Sequence, residues 1–274
     1  MTQAGRTVLT TGANSGIGLA TALEVARRGF RSVGSVRSEP KAKVLQRAAA
    51  DAGVEVETVL MDVADAAACA DVVGRLRPFG LVNNAGLPIT GAVEEVSDEE
   101  AREALEVMVV APMRLARLAL AHMRERGEGR IVNVSSIAGV STLPLVGWYH
   151  ACKHALEALS DALRMEVAAT GVKVVLVEPG GFKTGIWEDH EREVEERAGS
   201  PYAGGYGRTV TMTRWWQPLM GEPDRVAKVI AGALAGRSPR ARYLVGHDAR
   251  MLAAMSRLTP TLVKDRVTRM ILDL

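Results

Sequence analysis

Short apolar runs bounded by glycine or proline alternate along the chain with longer stretches in which apolar residues recur every three or four positions. The runs at 6–11, 31–36, 54–61, 80–83, 129–135, 172–178 and 242–245 have the length and composition of strands, and helical patterns fill the intervals. Strands that alternate with helices pair in parallel and carry helices on both faces, so the pattern predicts an α/β fold with a doubly wound sheet. Ligands of such sheets lie at the carboxyl ends of the strands, which makes the residues just after each run the ones to inspect.

After the first run comes Thr11-Gly12-Ala13-Asn14-Ser15-Gly16-Ile17-Gly18, which leads directly into the helical pattern from Leu19. Strand, glycine turn and helix start in that order make a phosphate cradle: glycines let the backbone turn and approach the ligand, and unpaired amides at the helix start face an anion. A plain strand-to-helix connection is the alternative. After the second run, the place where an acid would meet a free ribose hydroxyl holds Val36, and Arg37 follows. An arginine there suits a 2′-phosphate and favours NADP(H) over NAD(H); otherwise it is a solvated surface charge. Asp62 after the third run either caps a helix beginning at Ala64 or accepts a hydrogen bond from an adenine amino group. Asn83-Asn84-Ala85-Gly86 after the fourth reads as backbone close to a ligand or as a polar turn.

The stretch from Ser97 to Arg126 opens on a capping pattern, Ser97-Asp98-Glu99-Glu100, and contains Pro112, which should kink the helix. The fifth run ends in Ser135-Ser136, and Tyr149 and Lys153 follow four apart on one face of the next helix. Bringing a phenol from pKa near 10 to about 7 takes about 4 kcal/mol. One ammonium about 4 Å away supplies roughly that amount at an effective dielectric near 20. Such a pair can transfer protons at neutral pH, although packing and surface roles are the commoner fate of both residue types.

Composition narrows the partners. The 274 residues are 47% hydrophobic and 24% charged, which suits one α/β domain with a sizeable core and no disordered tail. A net charge of +2, without basic runs interleaved with aromatics, argues against nucleic acid. The first strand pattern starts close to Met1 and no apolar stretch is long enough to span a bilayer, so a cytoplasmic protein is expected. Cys69 and Cys152 have no motif spacing, and neither a disulfide nor a metal site is expected.

Together, Thr11-Gly12 with Gly16-Ile17-Gly18, Asp62-Val63, Asn83 to Gly86, Asn133-Val134-Ser135-Ser136, Tyr149 through Lys153, and Pro179-Gly180 with Thr184 closely resemble the ordered motif set of the short-chain dehydrogenase/reductase family. The resemblance covers residues 6 to about 184. Phe182-Lys183-Thr184-Gly185 also looks like the steroid- and retinol-dehydrogenase-like branch. It implies a single Rossmann-like domain over residues 1–274, a seven-stranded parallel sheet, and hydride transfer between a nicotinamide and a carbonyl/alcohol pair. By the same resemblance Tyr149 is the general acid/base, Lys153 lowers its pKa and bonds the nicotinamide ribose, and Ser136 orients the carbonyl. The cofactor would lie along Gly12, Asn14, Ser15, Gly16, Ile17 and Gly18, with Arg37, Asp62, Val63, Asn84, Ala85 and Gly86 towards the adenosine. Pro179, Gly180, Phe182 through its backbone and Thr184 through its side chain would hold the nicotinamide end. A homodimer or homotetramer built on the fourth and fifth helices is the corresponding expectation.

Three positions depart from the family pattern. The asparagine that usually binds a relay water next to the lysine is replaced by Met108, and a thioether cannot hold that water as an amide does. Either the relay takes another route, or turnover is slow, or the chain is a cofactor-binding pseudoenzyme or redox sensor; core packing alone would also choose methionine here. Cys152 stands where many relatives have serine, and Ser15 where several NADP-preferring relatives have a basic residue, which leaves the cofactor preference on Arg37.

Beyond Thr184 the resemblance weakens. Residues 185–221 carry Trp187, Trp215 and Trp216 with Tyr202, Tyr206 and Met212 and glycines at 204, 205 and 207, which reads as a lid over an apolar substrate or as rings that anchor the segment to its own domain or a neighbouring subunit. The charge-dense segment Glu188 to Arg197 reads as a solvated helix. By analogy with the family, Leu87, Leu143, Val146 and Trp148 line the pocket, which favours a steroid, retinoid, quinone or long-chain carbonyl. The tail at 251–274 is amphipathic with Lys264, Arg266 and Arg269 between apolar positions; packing on its own fold or on a partner is favoured over membrane contact.

Overall fold

The computed structural model describes residue 3 and residues 5–274. Seven strands form one sheet: β1 (Thr7–Thr11), β2 (Arg31–Val36), β3 (Val56–Leu60), β4 (Gly80–Asn83), β5 (Gly129–Val134), β6 (Val172–Pro179) and β7 (Arg242–Val245). Every neighbouring pair is parallel, in the order β3-β2-β1-β4-β5-β6-β7. These are the runs read from the sequence, with ends that agree within two residues.

The central strands are continuous apolar runs because both their faces are covered. Successive residues point to opposite faces, and each joins a different core. Leu9, Leu81, Ile131 and Val174 pack with α3 (Ala66–Leu76) and α5 (Ala111–Arg126) through Val72, Leu115, Ala119 and Met123. Val8, Val82, Val132 and Val175 pack with α1 (Gly16–Arg27) and α9 (Pro223–Ala235) through Val25, Val226, Ile230 and Leu234. At the edge, β3 leaves Glu57 and Leu60 exposed and buries Val59.

The chain runs outward in one direction through β1, β2 and β3 and in the other through β4 to β7, so the sheet reverses its winding between β1 and β4. At that switch point the loops after the two strands part and open a crevice. Thr11 ties its walls together: its Oγ1 accepts the amides of Asn84 at 3.0 Å and Ala85 at 2.9 Å.

The expected kink at Pro112 is a change of helix type. The helix α4 (Asp98–Leu105), started by the reciprocal Ser97 and Glu100 capping bonds, gives way to a π turn over Glu106–Val110 before α5 begins. Pro112 has no amide for the carbonyl of Met108 and its ring crowds that carbonyl, so the backbone widens and the Ala111 amide reaches the Glu106 carbonyl. Asp62 is not a helix cap. Asp65 caps α3 through the amides of Ala67 and Ala68, because the helix begins at Ala66 and not at Ala64. Asp62 instead closes a local turn with the Ala64 amide at 2.9 Å and remains exposed.

Residues 185–221 hold α7 (Ile186–Glu196) and α8 (Ala203–Trp216), anchored on the segment that follows β4. The Tyr206 ring is buried; its hydroxyl donates to Glu95 at 2.6 Å and accepts the Ala92 amide at 2.6 Å. His190 bridges Thr90 at 2.8 Å and Thr209 at 3.2 Å, and Arg197 donates to the Thr90 carbonyl at 2.7 Å. The charged helix read as solvated is therefore pinned at its middle and at its C-terminal end. Trp215 and Trp216 meet edge to face at a centroid distance of 5.1 Å and stay exposed. The tail forms α10 (His247–Leu258) and α11 (Thr261–Leu272), and Arg208 of α8 bonds the Ile271 carbonyl and Asp273.

Candidate active site

The first half of the site is a backbone surface. Gly12 and Gly16 adopt left-handed conformations at φ +66° and +51°, which side chains disfavour. A Cβ on Gly12 would lie 3.0 Å from the Ala85 Cα, one on Gly16 3.0 Å from the Thr184 Cγ2, and one on Gly18 2.2 Å from the Gly12 carbonyl oxygen. The turn thus presses against residues placed at the adenosine and nicotinamide ends by the resemblance. Ser15 precedes α1 without a side-chain cap, and Ser15 and Asn14 keep their side chains at or near the surface. A shaped cradle at an uncapped helix start, with no acid in its first turn, fits a pyrophosphate. Arg37 is exposed just past β2 and forms no ion pair among the described residues. Val63 is buried; its carbonyl accepts Arg114 at 2.9 Å.

Asn83 and Asn84 divide their work. Asn83 is buried; its amide nitrogen donates to Asn133 Oδ1 at 2.8 Å and to the Pro112 carbonyl, while Asn133 donates to Ser160 Oγ at 2.7 Å. This ladder stitches β4 and β5 to the helix α6 (Gly147–Glu166). Asn84 donates to the Thr11 carbonyl at 2.9 Å, and with Ala85 and Gly86 it borders the crevice, less deeply buried than Asn83.

The second half lies at the ends of β5 and β6. Ser136 follows β5, with its Oγ accepting the Ala138 amide at 3.1 Å. Tyr149 and Lys153 stand one turn apart on α6. The ammonium is buried, donates to the Val134 carbonyl at 3.1 Å, and lies 5.6 Å from the Tyr149 ring centroid. Burial raises the Tyr149 phenol above the ordinary tyrosine range; the Ser136 hydroxyl opposes that shift and the Cys152 thiol adds to it. Burial also lowers Lys153 to about 8, against the opposing pull of Cys152 and Glu157. Burial thus holds the phenol protonated, and the ammonium does not bring it towards neutrality. His150 buttresses the loop after Ser136 through the carbonyls of Ser141 at 2.6 Å and Ala138 at 3.0 Å.

After β6, the Gly181 amide donates to Asp248 at 2.5 Å and Gly180 packs against the same carboxylate, which fixes the Pro179-Gly180 turn. The carbonyl of Phe182 accepts the Trp187 indole at 2.8 Å. Lys183 pairs with Glu222 at 2.6 Å.

Met108 is buried, packed with Ile89, Ala104, Val109 and Cys152 against Tyr149 and Trp148. The thioether fills space that an asparagine side chain would occupy. Cys152 is a thiol pushed up to about 11 by burial. Leu87 and Trp148 border the same apolar cluster, Val146 bridges to Gly91, and Leu143 is exposed. Among the described residues no cluster of acid, histidine and cysteine side chains could hold a metal.

The family model for the short chain dehydrogenase matches residues 6–195. The chain belongs to the short-chain dehydrogenase/reductase family. Its members here are oxidoreductases acting on CH–OH groups, and the retinol-dehydrogenase-like branch is among its relatives. The NADPH-dependent 3-dehydrocapnine reductase of Ornithobacterium rhinotracheale is 32% identical, over 96% of this chain and 95% of that protein. Human retinol dehydrogenase 5 is 32% identical, over 97% of this chain and 88% of that protein. An actinorhodin polyketide ketoreductase variant solved with NADPH superposes with TM-score 0.77 at 28% identity, covering 88% of this chain and 95% of that one.

Several residues around the site had no sequence signal of their own. Glu157 follows Lys153 by one helical turn, a spacing that could have marked it. Glu178 and Arg242, which complete its surroundings, are brought in only by the pairing of β6 with β7.

Proposed function

We propose that the chain is an NADP(H)-dependent oxidoreductase that interconverts a hydrophobic ketone or aldehyde and its alcohol. The reading is supported by one arrangement above all: Ser136, Tyr149 and Lys153 gather at the carboxyl ends of the strands beside the glycine cradle. Phosphate groups would sit on the Gly12–Gly18 turn, with Asn14 and Ser15 at its rim, Asp62, Val63, Asn84, Ala85 and Gly86 along the adenosine, and Arg37 at a ribose 2′-phosphate. Pro179, Gly180, Phe182 and Thr184 would hold the other end. The cofactor supplies or accepts the hydride. Ser136 donates a hydrogen bond to the substrate oxygen and fixes its direction. Tyr149 gives its phenolic proton to that oxygen in reduction, and takes the proton back in oxidation. Lys153 stabilises the phenolate left behind. NADPH dependence in the similar Ornithobacterium reductase and the exposed Arg37, without an ion pair among the described residues, support NADP(H) over NAD(H).

The apolar lining from Leu87 and Trp148, and similarity to a dehydrogenase of retinol, itself an apolar alcohol, support a hydrophobic substrate. Residues 185–221 serve as its cover, as part of a single domain that spans the chain, and an assembly of identical subunits suits the fourth and fifth helices. The described residues contain no helix long and apolar enough to cross a membrane.

The test is NADPH oxidation by the purified protein over a panel of hydrophobic ketones, aldehydes and quinones, with NADH in parallel. Turnover that Tyr149→Phe lowers by roughly 10²- to 10⁴-fold, with NADPH affinity retained, is the expected result. Binding of NADPH without turnover of any member, restored by Met108→Asn, would replace this reading with that of a sensor.

A further inference from the structure

Behind the active site lies a buried charge cluster that the proposed reaction leaves unused. Arg242, on β7, bonds Glu157 of α6, Glu178 of β6 at 2.7 Å and Asp161 of α6 at 2.5 Å. Glu157 and Glu178 are 8% and 3% exposed at their side chains, so their charges are shielded by protein and not by water. Arg164 adds a second guanidinium, bonded to Asp161 at 3.0 Å. Three carboxylates thus face two guanidinium groups. Water reaches Arg242, Asp161 and Arg164, each about a third exposed, and the deeply buried charge is that of Glu157 and Glu178.

Lys153 lies on the same helix as Glu157. Tyr149, Lys153 and Glu157 follow at intervals of four along α6 and so lie above one another on a single helical face. The Lys153 ammonium has one hydrogen-bond acceptor among the described residues, the neutral Val134 carbonyl. An ammonium taken out of water without a counter-charge gives up its proton. Of the groups acting on it, Cys152 could help only as a thiolate, and burial keeps its thiol protonated to about 11. Glu157 is the other. One of its oxygens is held by Arg242, while Oε1 is buried beside the hydroxyl of Ser135; both crowd the place where a Cβ on Gly139 would stand. Burial, with the neighbouring Glu178 carboxylate, holds Glu157 above the ordinary carboxylate range, against the opposing pull of the Ser135 hydroxyl and Arg242.

We propose that Glu157 is a positioning residue for Lys153: its buried carboxylate, held by Arg242 from the last strand, supplies the negative charge that keeps the Lys153 ammonium protonated beside Tyr149. The inference rests on the reading of Tyr149 and Lys153 as the proton-transfer pair. It also explains why a strand-edge arginine far from the crevice in sequence is built into the back of the site.

The test follows Lys153 itself by NMR of protein labelled with [ε-¹³C]lysine, its signal assigned with Lys153→Arg. Glu157→Gln keeps the shape and removes the charge. Its expected effect is to lower the Lys153 titration midpoint by about one pH unit. Glu178→Gln, which touches the same arginine without reaching Lys153, should leave that midpoint nearly in place. Reduction at pH 8 should fall about fivefold in Glu157→Gln, the loss of charged lysine that such a shift entails. A midpoint equal to that of the natural protein overturns the proposal, as does an equal shift in both variants, which would report a general loosening of the cluster. The natural protein carries an independent check that no folding defect can spoil: its Glu157 ¹³Cδ signal must show a carboxylate at pH 7, and a carboxyl still protonated at pH 8 refutes the assignment. If the lysine responds as stated while no substrate in the panel turns over, the electrostatic assignment stands and the reductase reading fails. Turnover with an unmoved lysine would instead uphold the reductase reading and overturn the role given to Glu157.

Discussion

A Cβ on Gly18 would stand 2.2 Å from the carbonyl oxygen of Gly12 and 2.4 Å from the Asn84 side-chain nitrogen. The first turn of α1 therefore packs against the end of β1 at a separation that only glycine permits, and the cradle's shape depends on it. Gly18→Ala must push α1 away from Gly12 or displace Asn84, which holds the Thr11 carbonyl. We expect NADPH binding to weaken at least tenfold, equivalent to about 1.4 kcal/mol, as read by fluorescence titration. Binding unchanged by this substitution would mean that the ligand does not sit on the turn.

Arg37 is exposed beyond β2, so its removal should leave the fold intact. Arg37→Ala is expected to raise the KM for NADPH roughly 10- to 150-fold, as loss of a charge-assisted contact worth about 1.5–3 kcal/mol implies, and to leave the KM for NADH within about twofold. Equal effects on both cofactors would remove Arg37 from the 2′-phosphate.

The pH dependence separates the two members of the proton-transfer pair. Lys153 is lowered to about 8, so its ammonium is present below that pH and lost above it. Tyr149 is raised above the ordinary tyrosine range, so its phenol keeps its proton through the same interval. The kcat/KM for reduction should be flat below about pH 8 and then decline with unit slope. A plateau that persists to pH 10 would show that the lysine charge does not govern reduction.

Tyr206 anchors the 185–221 segment through its buried hydroxyl. Tyr206→Phe leaves the Ala92 amide and Glu95 without that partner, at a cost of about 1–3 kcal/mol. Faster hydrogen exchange across α7 and α8, with exchange in β1 and β4 unchanged, is the expected signature. Uniform acceleration through the whole chain would show that this tyrosine supports the global fold and not the segment.

The parts of the molecule legible in the sequence are those whose physics is local. Leu9 beside Val8, Leu81 beside Val82 and Val174 beside Val175 are consecutive residues that feed opposite faces of the sheet, and such runs betray buried parallel strands directly. The glycines of the cradle announce a turn because φ is a property of single residues. Tyr149 and Lys153 announce a shared face because helical spacing is set within one turn. Pro112 announced a break in its helix for the same reason, though the form of that break, a π turn, depended on how the backbone could best reuse its hydrogen bonds. Asp62 shows the limit of local reading: it and Asp65 are both acids ahead of one helix, and only the position of the first turn decides which becomes the cap.

What tertiary structure alone decided are the meetings of residues far apart in the chain. Asn83 looked like part of a ligand loop, yet its partner is Asn133, 50 residues on, and the pair locks β4 to β5. Tyr206 reaches Glu95 across 111 residues and anchors the 185–221 segment to the loop after β4. Glu157 meets Arg242 across 85 residues, and with Glu178 it converts three unremarkable charges into one buried cluster behind Lys153. Periodicity and spacing record contacts within a strand or a helix turn. Pairings across the sheet leave no such trace, because which side chains meet is set by strand order and register, and these follow from the packing of the whole core.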